Sequence, residues 1–248
     1  MPDTLKDLIA QTTFSFVGTV SGLNAATMSD IAVDDHTAIV HVDRVLHAPE
    51  AFTHLEDHNL TIQLSHSAEP LSVGQSFAFF GNGRSFGESL EIVEIGRLPV
   101  ADVEPHASMA VAAGAPAGAF NALLDEIADD KIRDHAKAAD AVVIGRVVAV
   151  EKAGPITFSE HDPDWWRATI NVFHVEKGDV SGGRVRVLFA NSRDIRWQKA
   201  PKPKPSQGGL WILHRTGRGL RRLAPFQILD PKDFQPTQKL DMLRSTES

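Results

Sequence analysis

The chain has 248 residues, of which 42% are hydrophobic and 23% are charged, and its formal net charge is −7. This composition is that of a folded globular protein and excludes an intrinsically disordered chain. Cysteine is absent, which excludes disulfides, thiolate catalysis and thiolate metal sites.

The first segment, MPDTLKDLIAQTTFSF, carries acidic residues where a secretory signal would carry basic ones. No apolar run approaches the roughly 20 residues that a membrane span needs. We therefore expect a cytoplasmic protein that makes no membrane contact.

Taken in chain order, the predicted elements occur twice. Residues 5–20 (LKDLIAQTTFSFVGTV) predict a short helix and a strand with a central glycine, and residues 132–147 (IRDHAKAADAVVIGRV) match them without a gap. Four strands follow in the same order: AIVHVDRVLHA with ATINVFHVEKG, LTIQLSH with VRVLFAN, GQSFAFF with GGLWILH, and SLEIVEIGRL with GLRRLAPFQIL. This order favours an internal duplication, although chance matching of β-patterns is the alternative.

Five short strands per unit, separated by turn clusters such as GNG and SGG, are typical of a small closed barrel. We predict a mainly β protein of two tandem five-stranded OB-like barrels, each preceded by a short helix. Gly18 and Gly145 lie mid-strand, where glycine allows a strand to bend at a barrel corner. The predicted domains are the first barrel at 1–98, an Ala/Gly/Pro-rich linker at 99–118, and a helix plus the second barrel at 119–248.

The order V-x-G-x-V, then A-x-V-x-V-x-x-V, then a G-x-x-x-x-F/L strand resembles OB-type barrels of the netrin and tissue-inhibitor-of-metalloproteinase kind. The resemblance covers most of both units and implies their fold. Those inhibitors place an N-terminal cysteine on the protease zinc. Inhibition by that route is excluded, because this chain has no cysteine.

Charge divides the chain unevenly. Residues 1–122 carry 4 basic and 15 acidic residues, whereas the remainder carries 21 basic and 17 acidic residues. Residues 184–222 are the extreme, with 11 Lys/Arg and Asp194 as the acidic residue. Complementary charge orients association, so an acidic first barrel and a basic second face favour docking within one chain or head-to-tail between chains.

The predicted contact residues come from two stretches of the second unit. SEHDPDWWRA holds adjacent tryptophans, which are typical hot spots, and NSRDIRWQKAPKPKP is a basic loop with a tryptophan. The set is Trp165, Trp166, Arg193, Arg196, Trp197, Lys199, Lys202 and Lys204.

We expect a non-enzymatic binding or scaffold protein that acts through protein contacts, including self-association. The alternative is single-stranded nucleic-acid binding by the basic second barrel, because OB barrels pair a basic groove with stacked aromatics.

An enzyme or metal site in the first barrel is the third alternative. GRSFG at 83–87 matches G-x-S-x-G, but strands flank Ser85 where a serine hydrolase has a strand-to-helix turn. Of six histidines between 36 and 66, His54 and His58 would share a face if their segment were helical. No H-E-x-x-H motif accompanies them, and the acidic pairs 34/35 and 162/164 lie in polar stretches. We therefore expect no catalytic residue, no metal and no cofactor.

Overall fold

The structure, a computed structural model, describes residues 4–66, 69–86, 89–107, 118–154, 163–192, 194 and 196–245. The helices in these residues are α1 Leu5–Gln11, α2 Val100–Ala107, α3 Gly118–Ala138 and α4 Lys239–Arg244. The strands are β1 Phe14–Leu23, β2 Thr37–His47, β3 Asn59–Gln63, β4 Ser76–Phe86, β5 Ser89–Pro99, β6 Ala141–Lys152, β7 Trp165–Lys177, β8 Arg184–Ala190, β9 Gly208–Arg215, β10 Phe226–Ile228 and β11 Phe234–Gln235. Short 3-10 helices lie at Glu50–Phe52 and Pro231–Asp233. The chain forms two compact units, Met1–Ala128 and Asp129–Ser248.

Each unit contains a closed five-stranded barrel. In the first unit the strand order is β1-β2-β3-β5-β4, and β4 pairs back to β1. In the second unit β6, β7, β8, β10 and β9 follow the same order, and β11 adds to β9. The third and fifth strands of each barrel are parallel. The prediction of a mainly β chain with two OB-like barrels, each preceded by a helix, is confirmed.

The two barrels also share their strand register. β1 shifts register against β2 after Ser15, Val17 and Val20, and β6 shifts against β7 after Val142, Ile144 and Val147. Each position in the second set lies 127 residues after its counterpart, the offset that the sequence comparison gives for this segment. Bulges bend a strand and increase its twist, so the same three corners close both barrels.

Positions with the same strand and register are called equivalent below. The first three strands keep the offsets read from the sequence. For the fourth strands, the offset in the structure is two residues smaller than the offset in the sequence alignment, because Phe79 pairs with Phe16 and Trp211 pairs with Val143. These two aromatic residues are therefore equivalent.

The central glycines allow adjacent strands to approach closely. A Cβ atom on Gly18 would lie 2.6 Å from Cγ1 of Val40, and one on Gly145 would lie 2.5 Å from Cγ2 of Ile170. Each would also lie within 2.7 Å of a backbone carbonyl oxygen on that strand. Glycine at both corners is thus a packing requirement.

Apolar side chains of alternate strand residues fill both barrels. Phe16, Val40 and Phe79 lie in the first interior, and Val143, Ile170 and Trp211 lie in the second. Trp211 is fully buried, and its indole N–H donates to the carbonyl oxygen of Gly145 at 3.1 Å. The indole is therefore both packed and hydrogen-bonded.

Helices pack on the outside of each barrel. Thr4 begins α1 with a capping box, in which its hydroxyl accepts from the Asp7 N–H and the Asp7 carboxylate accepts from the Thr4 N–H. Leu8 of α1, Val103 of α2 and Phe120 of α3 belong to one buried cluster of the first unit. Val103 lies in the predicted linker 99–118, whose residues 108–117 are outside the described part.

The later turns of α3 contribute Ile132 and Ala136 to a cluster of the second unit. None of the helices in the described residues combines the length and apolar character that a membrane span requires.

Candidate binding face of the second barrel

The candidate site lies on the outer face of β7 and β8. Strand alternation sends Ala168, Ile170 and Val172 of β7 into the barrel core, so Thr169, Asn171 and Phe173 lie on the opposite face. In β8, Val185 and Val187 belong to the core, which leaves Arg184 and Arg186 on the outside. Arg184 pairs with Asn171, and Arg186 pairs with Thr169. We call the set Thr169, Asn171, Phe173, Arg184 and Arg186 the β7–β8 face.

The arginines of this face have no partners among the described residues. Arg184 and Arg186 are exposed, and neither makes a side-chain hydrogen bond or ion pair within that part of the chain. A groove of about 460 Å³ lies beside them, with Arg215 and the acidic Asp179 also in its lining. The Arg215 guanidinium carbon lies 4.6 Å from the ring centroid of Phe226. Three guanidinium groups and one carboxylate make the groove attractive to anions.

Phe173 is the most exposed large apolar residue described, at 62%. It lies on the β7–β8 face, two residues beyond Asn171 and diagonal to Arg184. The N–H of the next inward residue, Val172, donates to the carbonyl oxygen of Gly183 at 2.8 Å, which keeps the two strands together at this end. An aromatic ring is thus presented to solvent beside unpaired arginines.

The predicted tryptophans lie toward the other end of the same strands. Trp165 is 7% exposed and packs with Leu188 and Ala190, and its ring lies 6.0 Å from that of Trp197. Trp166 is half-buried, packs against the barrel core, and lies under the Lys152 ammonium at 5.9 Å. Both side chains are largely occupied by contacts within the second unit.

The predicted basic loop has mixed roles. Arg196 is exposed and stacks on Trp197, with 4.9 Å from its guanidinium carbon to the ring centroid. The Lys202 ammonium donates to the carbonyl oxygens of Trp197, Gln198 and Ala200, so it stabilises the loop itself. Lys199 and Lys204 are exposed. Arg193 lies outside the described residues, and the contact set as a whole stays a prediction.

The equivalent face of the first barrel has a different surface. Asp43 takes the place of Phe173, Asn59 that of Arg184, and Thr61 that of Arg186. Thr61 is fully buried, and its hydroxyl accepts from the N–H of Thr27 in the loop between β1 and β2 at 2.9 Å. The first barrel therefore covers the position where the second barrel exposes an arginine.

A cluster of histidine and carboxylate groups lies elsewhere in the second unit. His135 of α3, His214 of β9 and Asp233 of the second 3-10 helix bring three potential metal ligands within 4.8 Å of one another. The chain separations of 79 and 98 residues explain why the sequence analysis missed it. Nothing in a linear pattern joins residues from three distant segments.

The sequence-predicted sites of the first barrel are not assembled by its backbone. Ser85 lies in β4 and pairs with Leu90 of β5, so no strand-to-helix turn presents it, and its side chain is outside the described part. His54 and His58 follow a 3-10 helix that ends at Phe52, and their ring centroids are 6.2 Å apart. Asp162, of the acidic pair 162/164 in the second unit, lies outside the described residues.

A cleft of about 400 Å³ lies between α3, β7 and α4 of the second unit. In it the Arg244 guanidinium donates to the Glu176 carboxylate at 2.6 Å, and His174 Nε2 lies 2.9 Å from the same carboxylate. The hydrogen bonds from Arg244 and His174 hold the pKa of Glu176 at about 2. This network attaches the C-terminal helix to the barrel.

No protein-family model matches the chain, and a search of curated proteins finds no match. Function is therefore inferred from the side chains themselves.

Proposed function

We propose that the second barrel binds single-stranded nucleic acid on the β7–β8 face. The observation that carries the proposal is the exposed Phe173 ring beside Arg184 and Arg186, two arginines without partners among the described residues. β7 and β8 are the second and third strands of an OB-like barrel, and OB barrels use the face of those strands for oligonucleotides. This is the alternative that the sequence analysis left open.

Each group on the face has a role that fits a single strand. Arg184, Arg186 and Arg215 would contact phosphates, and the Phe173 ring would stack on a base. Stacking on an aromatic side chain is worth about 1–3 kcal/mol per base and is tolerant of sequence. We therefore expect binding with little sequence preference.

The negative net charge of the chain does not oppose this function. Screening limits the reach of exposed charges to about 8–10 Å at physiological salt, so the charges near the groove decide the interaction. Residues 184–222, which contain all three of these arginines, have 11 basic residues and one acidic residue. Asp179 is the carboxylate of the groove lining and would face the incoming strand least favourably.

The test is fluorescence anisotropy of a labelled oligothymidylate DNA and a labelled oligouridylate RNA, each of about 15 nucleotides, with the wild type and three variants. Arg184→Ser/Arg186→Ser should weaken binding at least about 10-fold at low salt and reduce the dependence of log K on log salt by roughly 1.4, since each phosphate contact contributes about 0.7. Phe173→Ser should weaken binding about 10-fold with the salt dependence unchanged.

The matched control is Lys199→Ser/Lys204→Ser, which removes the same charge from the predicted basic loop. We expect less than about a 3-fold loss for this control, because the exposed loop lysines lie outside the groove lining. Equal losses in the control and the arginine variant would assign binding to general charge and contradict the β7–β8 face. Unaltered binding by the arginine variant would contradict it as well.

A non-enzymatic protein-contact function is the second proposal. It is supported by Val148, Phe173 and Val175, which are 50%, 62% and 37% exposed on adjacent strands of the second barrel. If wild type shows no anisotropy change at low salt, this function takes first place. Sedimentation at increasing concentration should then show self-association that Phe173→Asp, the residue at the equivalent position 43, removes.

We further propose that the two barrels arose by duplication within one chain. The support is the coincidence of three bulges and a central glycine at one constant offset. The resemblance to netrin-like and inhibitor-type barrels and the cytoplasmic location remain predictions from sequence.

A further inference from the structure

The cluster of His135, His214 and Asp233 has the geometry of a metal site. His135 Nε2 lies 2.6 Å from Asp233 Oδ1, His214 Nε2 lies 3.1 Å from His135 Nε2, and His214 Nε2 lies 3.4 Å from Asp233 Oδ1. Zinc bonds to nitrogen and oxygen of about 2.1 Å separate neighbouring ligand atoms by about 3.0 Å at right angles and about 3.4 Å at tetrahedral angles. Two of the three separations lie in this range, and the third needs to open by a few tenths of an ångström.

The carboxylate is fixed so that one oxygen faces the two rings. Asp233 is 1% exposed, and its Oδ2 accepts from the N–H groups of Leu229 at 2.6 Å and Asp230 at 2.9 Å. Oδ1 is left for the histidines. Such outer hydrogen bonds to a ligating carboxylate are a regular feature of metal sites, because they set its orientation before the ion arrives.

The contacts of the two imidazoles also favour a cation. Both Nε2 atoms converge on one carboxylate oxygen at a mutual distance of 3.1 Å, so a neutral ring that donates to Asp233 leaves the second ring to compete for the same acceptor. A divalent ion accepts a lone pair from each nitrogen and satisfies all three groups together. The His135 and His214 side chains are 19% and 26% exposed, which gives the ion a route from solvent.

We propose that His135, His214 and Asp233 bind a divalent transition-metal ion of the zinc class. Imidazole nitrogen with one carboxylate oxygen favours Zn²⁺, Co²⁺ or Ni²⁺ over Ca²⁺ and Mg²⁺, which prefer all-oxygen sites. Three protein ligands leave a coordination position for water, as in open rather than closed zinc sites. The ion would also join α3, β9 and the segment before β11.

The first barrel provides the natural non-binding substitutions. Leu8 matches His135 in the gap-free alignment of residues 5–20 with residues 132–147. Asn82 follows Gly81 in β4 as His214 follows Leu213 in β9, so these two residues are equivalent. Leu8 is 2% exposed, and the Asn82 side-chain oxygen accepts from the N–H of Thr13 at 3.0 Å. The same position of the barrel is thus an apolar contact with a polar cap in one unit and a convergent ligand set in the other.

The test is titration of EDTA-treated and dialysed protein with Co²⁺, followed by its ligand-field absorption, and with Zn²⁺ by calorimetry. We expect one equivalent per chain for wild type and a loss of affinity of at least about 100-fold for His135→Leu/His214→Asn. The matched control is His36→Asn/His66→Asn in the first barrel, which removes a pair of histidines whose nitrogens lie 2.8 Å apart. This variant should still bind one metal ion per chain.

Folding of the variants is checked by tryptophan fluorescence, since the chain's four tryptophans lie at 165, 166, 197 and 211, all in the second unit. Asp233→Asn is the second variant. Its amide keeps the shape of the carboxylate, and the absorption of bound Co²⁺ should disappear. Zn²⁺ should raise the melting temperature of wild type, as followed by tryptophan fluorescence, and EDTA should reverse this increase. The melting temperature of Asp233→Asn should not change on addition of Zn²⁺. Stoichiometric binding that survives in both ligand variants, or its absence in wild type, would overturn the proposal.

Discussion

The two barrels share their strand order and the positions of their bulges, but the surfaces that those strands present are different. On the outer face of the second and third strands, the first barrel has Asp43 and a buried Thr61, whereas the second barrel has Phe173 and an exposed Arg186. In the helix that precedes each barrel, the first unit has Leu8 and the second has His135. The bulges and the central glycines that bend the strands are alike, so the frame is independent of the chemistry of its surface.

The barrel interiors also differ at one position, where the first barrel holds charged side chains and the second an apolar one. Glu94 of β5 is 4% exposed and pairs with Arg97 at 3.0 Å, whereas the equivalent position in the second barrel is the fully buried Ile228. The Glu94 carboxylate also accepts from the N–H of Ser65 at 2.8 Å. One barrel thus buries an ion pair where the other buries an aliphatic side chain.

Arg97→Met should break this contrast with the largest effect. Loss of one partner leaves a buried carboxylate uncompensated, which costs about 3–5 kcal/mol of unfolding free energy. Burial raises the pKa of Glu94, against the opposing effects of Ser65 and Arg97. A carboxyl with a raised folded-state pKa stabilises most at pH values below its unfolded pKa and loses that contribution as the pH rises through the folded pKa. The deficit of the variant should therefore grow with pH.

Urea unfolding followed by far-UV circular dichroism, at several pH values, measures this deficit. Glu94→Gln/Arg97→Met is the matched control, because it removes the charge with its partner and keeps an acceptor for Ser65. It should recover most of the loss at pH 7. If Arg97→Met alone were as stable as wild type at pH 7, the ion pair would contribute nothing to the stability of the first barrel.

Much of the shared frame could be predicted from sequence, because period-2 alternation and mid-strand glycines are local signals. The offsets of 127 and 130 residues for the first two strands hold in the structure. The fourth strand was misaligned by two residues, since a shift of two leaves every side chain on its own face and the alternation cannot detect it.

The surfaces were harder to predict. Alternation in ATINVFHVEKG predicts the inward residues correctly, so the outward position of Phe173 was available from sequence. Arg184 and Arg186 belong to the basic stretch 184–222, but the predicted contact set comes from the Lys-Pro loop at 193–204, which holds a higher density of basic residues beside a tryptophan. The cluster of His135, His214 and Asp233 could not be predicted from the sequence, because only closure of the barrel brings β9 and the second 3-10 helix beside α3.

The glycine corners test whether the two frames are physically the same. Gly18→Ala and Gly145→Ala should each cost about 2–3 kcal/mol, because the new methyl group meets a side-chain carbon and a backbone oxygen at 2.5–2.7 Å. Circular dichroism measures the first and tryptophan fluorescence the second.

Gly22→Ala and Gly208→Ala are the controls, since their nearest neighbours would be 3.7 and 3.8 Å away. Both should stay within about 0.5 kcal/mol of wild type. If one corner glycine accepts alanine at no cost, the two barrels do not close in the same way.

The smallest expected effect concerns the helix side of the second barrel, where Glu176 stands at the position equivalent to the half-buried Leu46. The hydrogen bonds from Arg244 and His174 lower the pKa of Glu176 from 4.5 to about 2. A carboxylate with a lowered folded-state pKa stabilises the fold above its unfolded pKa and loses that contribution as the pH falls toward the folded value.

Arg244→Gln should therefore lower the melting temperature at pH 7, as followed by tryptophan fluorescence, by less than about 3 °C, since the pair is largely exposed. The difference from wild type should vanish between about pH 4.5 and about pH 2, and Arg218→Gln, an exposed arginine outside the network, should show no such convergence. A difference that persisted at the acidic end would mean that Arg244 stabilises the second unit through packing of its side chain and not through the charge of Glu176.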